Sequence, residues 1–258
     1  MNAARGPVYA APLHRYAAPL RRWLRSRGYL VAATRPPEAY RRVLAGSATA
    51  AAVPLALAVR DAGRRVRVTT RAPMVYTLGE TMSSIVVSRE KRALEDCRAV
   101  ALSGETRTSA AYLALLVNDY RLHVRLLEAG HHSPTLLLGL APCALVLGDQ
   151  ALRARSQGLH VVLDVGEALW RLYRAPAVYA VTAAPRDAPR PPALHGPPWP
   201  RALQRDAAET AAATGLPLEE AERYHRAVRL DYNPAALLQA YSLARRGLEA
   251  LKALKTPG

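Results

Sequence analysis

Two neighbouring serines, Ser83 and Ser84, and a run of hydroxyls around an arginine, Thr106-Arg107-Thr108-Ser109, are the residues whose types and spacing point most directly to chemistry. A helix that starts on hydroxyls and a guanidinium presents free N–H groups and the positive end of its dipole, which together make a site for a carboxylate. The same segment also reads as an ordinary helix start, with Thr106 or Thr108 as the capping residue. The strand before it favours the site. Ser83 and Ser84 lie side by side near its beginning, so their side chains point to opposite faces and one of them can look into a cleft.

These residues need elements to hold them. Met82 to Ser88 is short, rich in Ile and Val and bounded by Gly79 and Arg89-Glu90-Lys91, so it reads as a buried strand. A short charged helix, a strand at 100–102, a polar turn and a helix at 110–117 follow. Upstream, a strand at 7–11 leads into the loop Pro12-Leu13-His14-Arg15, the place where open α/β sheets bind ligands. Helices at 19–27 and 39–45 and strands at 29–33, 50–57, 67–70 and 74–78 complete the first half. Downstream, strands are expected at 136–138, 144–148, 161–163 and 177–181, with Asp149 and Asp164 capping the helices that follow two of them. Trp170 reads as core packing and His131-His132 as a turn. A Pro-rich segment at 185–200 is irregular, and helices at 202–214, from 218, and at 234–254 end the chain. This alternation argues for an α/β protein with a mostly parallel sheet.

With 258 residues, half of them apolar, the chain can bury a full core. Its net charge of +16 raises the question of nucleic acid, but the basic residues are scattered, without a long block or interleaved aromatics. Only three of the 36 basic residues are Lys and Phe is absent, which points to compositional bias, so a nucleic-acid partner is not expected. Cys97 and Cys143 stand far apart with no ligand at metal-site spacing and read as two ordinary buried thiols. Apolar stretches fall short of the roughly 20 residues a membrane helix needs, and the first residues make a poor signal peptide, so a cytoplasmic protein is expected. No metal or cofactor is called for, and a homodimer is left open.

Four pieces in order, Gly79 to Ser88, Thr106 to Ser109, Val146 to Leu152 and Leu163 to Val181, resemble the family containing the chorismate dehydratase and the dihydroxynaphthoate synthase of the futalosine route to menaquinone. The resemblance implies a type II periplasmic-binding-protein-like fold, two α/β lobes joined by two crossing strands with a small anionic ligand between them. It places residues 1–82 and 184–258 in one lobe and 83–183 in the other. Where synthase-like members carry a His followed by an acid, this chain has Gly148-Asp149, as dehydratase-like members do.

The resemblance therefore implies dehydration of chorismate to 3-[(1-carboxyvinyl)oxy]benzoate. Ser83 and His14 become the candidate catalytic residues, and Ser84, Arg107, Thr108, Ser109, Gly148 and Asp149 the substrate-binding ones. The pattern departs at the loop after the first strand, where the dehydratase Asn falls at Pro12 and His14 is the available substitute. His14 next to Arg15 also reads as a solvated pair. Thr49 replaces a family acid, and Tyr173-Arg174 replaces Thr-Gly. The alternatives are a non-catalytic anion-binding protein of this fold and a dihydroxynaphthoate synthase-like enzyme.

Overall fold

The computed structural model describes residues 6–189, 191, 194 and 203–254. Two mixed sheets divide the strands. The first contains β1 (Val8–Pro12), β2 (Leu30–Thr34), β3 (Ala50–Pro54), β4 (Val66–Val68), β5 (Met74–Thr77) and β11 (Ala177–Pro185), in the order β2-β1-β3-β11-β4 with β5 also on β11. The second contains β6 (Ser84–Ser88), β7 (Ala99–Leu102), β8 (Arg125–Glu128), β9 (Cys143–Leu147) and β10 (His160–Asp164), in the order β10-β6-β9-β7-β8. The chain passes from the first sheet to the second between β5 and β6, and returns just before β11.

Those passages explain why neither sheet is mostly parallel, contrary to the sequence expectation. β1, β2 and β3 run parallel, as do β7, β8 and β9. β11 re-enters the first sheet antiparallel to β3, β4 and β5, and β6 enters the second antiparallel to β9 and β10. Each strand next to a passage runs against its neighbours because it belongs to no local strand–helix–strand repeat.

The ten α-helices among the described residues are α1 (Ala18–Ser26), α2 (Pro36–Leu44), α3 (Leu55–Asp61), α4 (Arg107–Asp119), α5 (Pro134–Leu137), α6 (Asp149–Ser156), α7 (Val165–Tyr173), α8 (Leu203–Thr214), α9 (Leu218–Ala227) and α10 (Pro234–Leu254). Two expected strands differ. The run from Ala50 ends as a strand at Pro54, whose missing N–H stops the ladder, and Leu55 begins α3. Leu136 to Leu138 follows Pro134, which opens α5, so this apolar run is helical, with Leu137 and Leu138 buried and Leu136 exposed. The Arg-Leu-Leu-Glu strand β8 was not anticipated. Trp170 is only half-buried, and most of the Pro-rich segment 185–200 lies outside the described residues.

α4 is buried from Thr108 to Val117, as a helix apolar on every side must be. α10 packs along it, close enough at Gly247 that a side chain there would strike the Ala111 carbonyl. α10 also touches α3 and β11 of the first sheet and β8 of the second, so the C-terminal helix ties both halves to one core.

Cys97 and Cys143 are bonded to each other, correcting the expectation of two separate thiols. Val100 of β7 pairs with Cys143 of β9, and this register brings Cys97, just before β7, to within 5.7 Å Cα to Cα of its partner. Such a cross-link is common in oxidising compartments and in hyperthermophile interiors, and rare in other cytosols. Closing 46 residues of chain is worth about 4 kcal/mol in the loop-entropy account. A Cys97→Ala/Cys143→Ala chain should therefore unfold at lower denaturant, and reductant should destabilise the wild type but not the variant. Identical midpoints with and without reductant would show that the thiols are free.

Candidate functional site

A cleft enclosing about 570 Å³, mouth included, opens between the sheets at the carboxyl ends of β1, β3, β7 and β9. Its lining, mostly apolar with a few convergent hydroxyls and one carboxylate, has the character of a small-molecule site. Pro12, Tyr16, Pro36 and Pro54 form one side and Ser84, Glu105, Thr108, Ser109 and Leu147 the other, with Thr81, Ser83 and Tyr179 at the back.

The back wall is fixed by the buried carboxylate of Asp164. It caps α7, as expected, by accepting from the N–H groups of Gly166 and Glu167 at 3.0 and 3.1 Å. It also accepts from the N–H groups of Thr81 and Met82 in the passage between the sheets, at 3.0 and 2.7 Å. Burial pushes its pKa above the usual carboxylate range, while these N–H groups pull the other way. Arg155 holds the same turn by donating to the Met82 carbonyl at 3.1 Å. Met82 adopts φ +61°, so Ser83 precedes the regular strand and both serines line the cleft instead of facing opposite ways.

The hydroxyls form a connected lining. Ser84 donates to Ser109 Oγ at 2.7 Å, and Thr81 and Tyr179 share a bond of 2.7 Å. Thr108 donates to the Tyr179 carbonyl at 2.9 Å and accepts from Ala56 N–H at 3.2 Å, so its hydroxyl ties the two sides together. Ser83 lies beside the Tyr224 hydroxyl, and burial raises the pKa values of Tyr16, Tyr179 and Tyr224, keeping all three phenols neutral. Neither Thr106 nor Thr108 caps α4: the Thr106 hydroxyl donates instead to the Ser103 carbonyl at 2.6 Å. Helix geometry leaves the first-turn N–H groups of α4 without intrahelical acceptors, beside the cleft.

Arg107 differs from the expectation. One residue rotates the helix by about 100°, which carries Arg107 away from the face of Thr108 and Ser109. Its guanidinium meets Glu128 at 3.0 Å in a half-exposed pair outside the cleft. Asp149 does not cap α6, whose first residue it is; it accepts from the Arg15 backbone N–H at 3.1 Å, across from the first sheet.

His14 is not the solvated partner of Arg15. It is 3 % exposed, with its ring stacked on Tyr16 and pressed against Gly148 so closely that no β-carbon would fit there. Its Nε2 stands 3.5 Å from a carboxylate oxygen of Glu105, and neither ring nitrogen has a hydrogen-bond partner. Burial depresses its pKa; Glu105 and Asp149 oppose this, and Arg21 and Arg35 reinforce it. Glu105, which the sequence reading passed over, is 7 % exposed, is bound by Arg35 and lies 3.7 Å from His132 Nδ1. An acid inside a turn of hydroxyls, in so basic a chain, was the available signal. Among the described residues no group of three or more His, Cys, Asp or Glu is arranged to hold a metal ion.

Because folding lowers the proton affinity of His14, its contribution to stability is full above roughly pH 6.5, the unfolded value, and is lost as pH falls below it. Thermal unfolding of wild type and His14→Gln should therefore diverge in acid, the wild type losing more; parallel curves would contradict the depressed pKa. Gly148, at φ +61° and ψ −135°, occupies backbone space open essentially to glycine. Gly148→Ala should cost roughly 2–3 kcal/mol, with only part recovered when His14→Ala relieves the contact. Unfolding midpoints as high as wild type in Gly148→Ala would overturn this account.

Comparisons with known proteins place the molecule. The chain is similar to a structural-genomics target from Archaeoglobus fulgidus, at 14 % identity and TM-score 0.62 over 98 % of both chains. It is also similar to the alkanesulfonate-binding protein of Xanthomonas axonopodis bound to MOPS, at 14 % identity and TM-score 0.65, covering 99 % of this chain and 96 % of that one. The periplasmic aliphatic sulphonate binding protein of Escherichia coli matches at 11 % identity and TM-score 0.59, covering 98 % of this chain and 89 % of that one. At these identities the likeness speaks to fold, and the fold is periplasmic-binding-protein-like with two α/β lobes. A search of curated proteins found no match. The family model described as menaquinone biosynthesis matches residues 17–249, and the chain belongs to that family.

Proposed function

We propose that this protein is the chorismate dehydratase of the futalosine route, converting chorismate to 3-[(1-carboxyvinyl)oxy]benzoate and water. The observation that carries the reading is Gly148, where synthase-like members place a histidine. Its positive φ and the His14 ring packed on it exclude any side chain at that position. The family role in menaquinone biosynthesis supports the pathway. In this reading residues 1–82 with 184–258 form one lobe and 83–183 the other, and the substrate sits between them.

Chorismate carries two carboxylates. The α4 start, with its first-turn N–H groups, Ser109 and the dipole, is suited to one of them. Ser83, beside neutral Tyr224, binds or orients the enolpyruvyl group. Loss of a proton and a hydroxyl from adjacent ring carbons makes the ring aromatic, so the cleft needs to orient the substrate and manage one proton. The pathway reading favours a cytoplasmic enzyme; the Cys97–Cys143 bond weighs against an ordinary reducing cytosol.

One observation favours a second reading. His14 brings an imidazole to the very place where synthase-like members carry theirs, so a dihydroxynaphthoate synthase-like enzyme with its His supplied from the other lobe is the alternative. Purified protein incubated with chorismate, followed by chromatography with ultraviolet detection, separates them. The dehydratase should form the enolpyruvyl benzoate, and Ser83→Ala should lose about tenfold or more of the turnover. Full turnover in Ser83→Ala would remove that residue from the site. Absence of product from the wild type, with thermal stabilisation by chorismate, would replace the proposal with a binding protein.

A further inference from the structure

We infer that Glu105 is the acid–base residue of the cleft, with Arg35 as its positioning residue and His14 as a second proton station behind it. This rests on the dehydratase reading and names the group that moves the proton. Among the described residues lining the cleft, Glu105 is the only carboxylate; the others are apolar, hydroxyl-bearing or phenolic. An unassisted serine is a poor base at neutral pH, and the buried phenols have raised pKa values and stay protonated.

The two oxygens of Glu105 are unequally engaged. Oε1 is bound by Arg35 and lies 3.7 Å from His132 Nδ1. Oε2 stands 3.5 Å from His14 Nε2, beyond a hydrogen bond. Arg35 therefore orients the carboxylate and offsets its charge against an anionic substrate, while Oε2 is left to exchange a proton. His14, whose ring nitrogens are both buried and unpartnered, stands behind it as the second station. Asp149, Arg21 and Tyr16 are the other polar groups facing that imidazole. Glu105 lies in the turn before α4, whereas His14 and Arg35 follow β1 and β2 of the opposite sheet. The constellation exists only where the two sides meet, so an open cleft would lack it.

The step balances without a co-reactant. Glu105 takes the proton from the ring carbon that bears the enolpyruvyl ether, and that C–H electron pair becomes a ring π bond. The adjacent carbon–oxygen bond breaks, its electron pair leaving with the hydroxyl group. The proton on Glu105 then joins that hydroxide as water, and the carboxylate is regenerated.

The test compares wild type with Glu105→Gln on chorismate. The amide should lower kcat by about 10²–10⁴-fold, the range of general acid–base catalysis, while chorismate still raises the unfolding temperature of the variant. His14→Gln should lose less and shift the acidic limb of the kcat/KM pH profile, which a merely structural residue would leave in place. If Glu105→Gln does not fold, Glu105→Asp, which keeps the charge but withdraws it by one bond, should lose turnover about tenfold with chorismate stabilisation intact. Wild-type kcat in either folded variant, or a change in KM alone, overturns the inference and leaves the dehydratase standing. A wild-type protein that forms no product overturns both.

Discussion

The structure depends on one buried carboxylate. Asp164 ends β10, starts α7 and gathers backbone N–H groups from both α7 and the passage that leads into β6. Each buried N–H left without an acceptor costs on the order of 1–3 kcal/mol, so this single side chain decides whether the passage can take its shape. Gly166 completes the joint: a side chain there would collide with Thr77, Gly79 and Thr81, so the α7 start lies directly on the crossing chain. With the turn held, Met82 takes its left-handed conformation and both serines enter the cleft. The strain of that residue sits next to the site, where surrounding structure over-determines it.

Charge is arranged to the same end. The chain carries 36 Lys and Arg against 20 Asp and Glu, yet the described cleft lining contains no Lys or Arg and a single carboxylate. Most of its ion pairs, such as Arg171–Glu167 and Arg226–Glu222, are exposed and contribute little to stability. The cluster of Glu105, Arg35 and His14 is different, because two of its members are buried and come from opposite sheets. Such a cluster is costly to bury unless it is paired or used, which makes it a site feature in a way that the overall charge is not.

Much of the fold was legible in the residues themselves. Ile85-Val86-Val87 announced a strand, α10 matched its expected span from Pro234 to Leu254, and Asp164 before an apolar helix read as the cap it is. These are local outcomes, decided by side-chain period, by the missing N–H of proline and by a carboxylate within reach of the next turn. The two-lobed arrangement came from resemblance, because no local pattern says which distant helices share a sheet. The serine pair was legible as a feature, but not its geometry: alternation assumes a regular strand, and the left-handed turn at Met82 delays the strand until Ser84, so the assumption fails for Ser83.

Tertiary structure alone decided the rest. Cys97 and Cys143 meet because β7 and β9 are neighbours in register, a pairing that a sequence separation of 46 conceals. Arg107, the most chemically suggestive residue of its turn, faces solvent, while Glu105 faces the cleft; the difference is two positions on a turn whose direction the surrounding packing sets. His14 is buried because β1 ends opposite β9 and Gly148 leaves its ring room, a complementarity between residues more than 130 positions apart. The amino-acid order thus determined the elements and the types of chemistry available. Which side chains share the cleft was determined by long-range packing, because proximity between distant residues follows from how the sheets and helices bury one another.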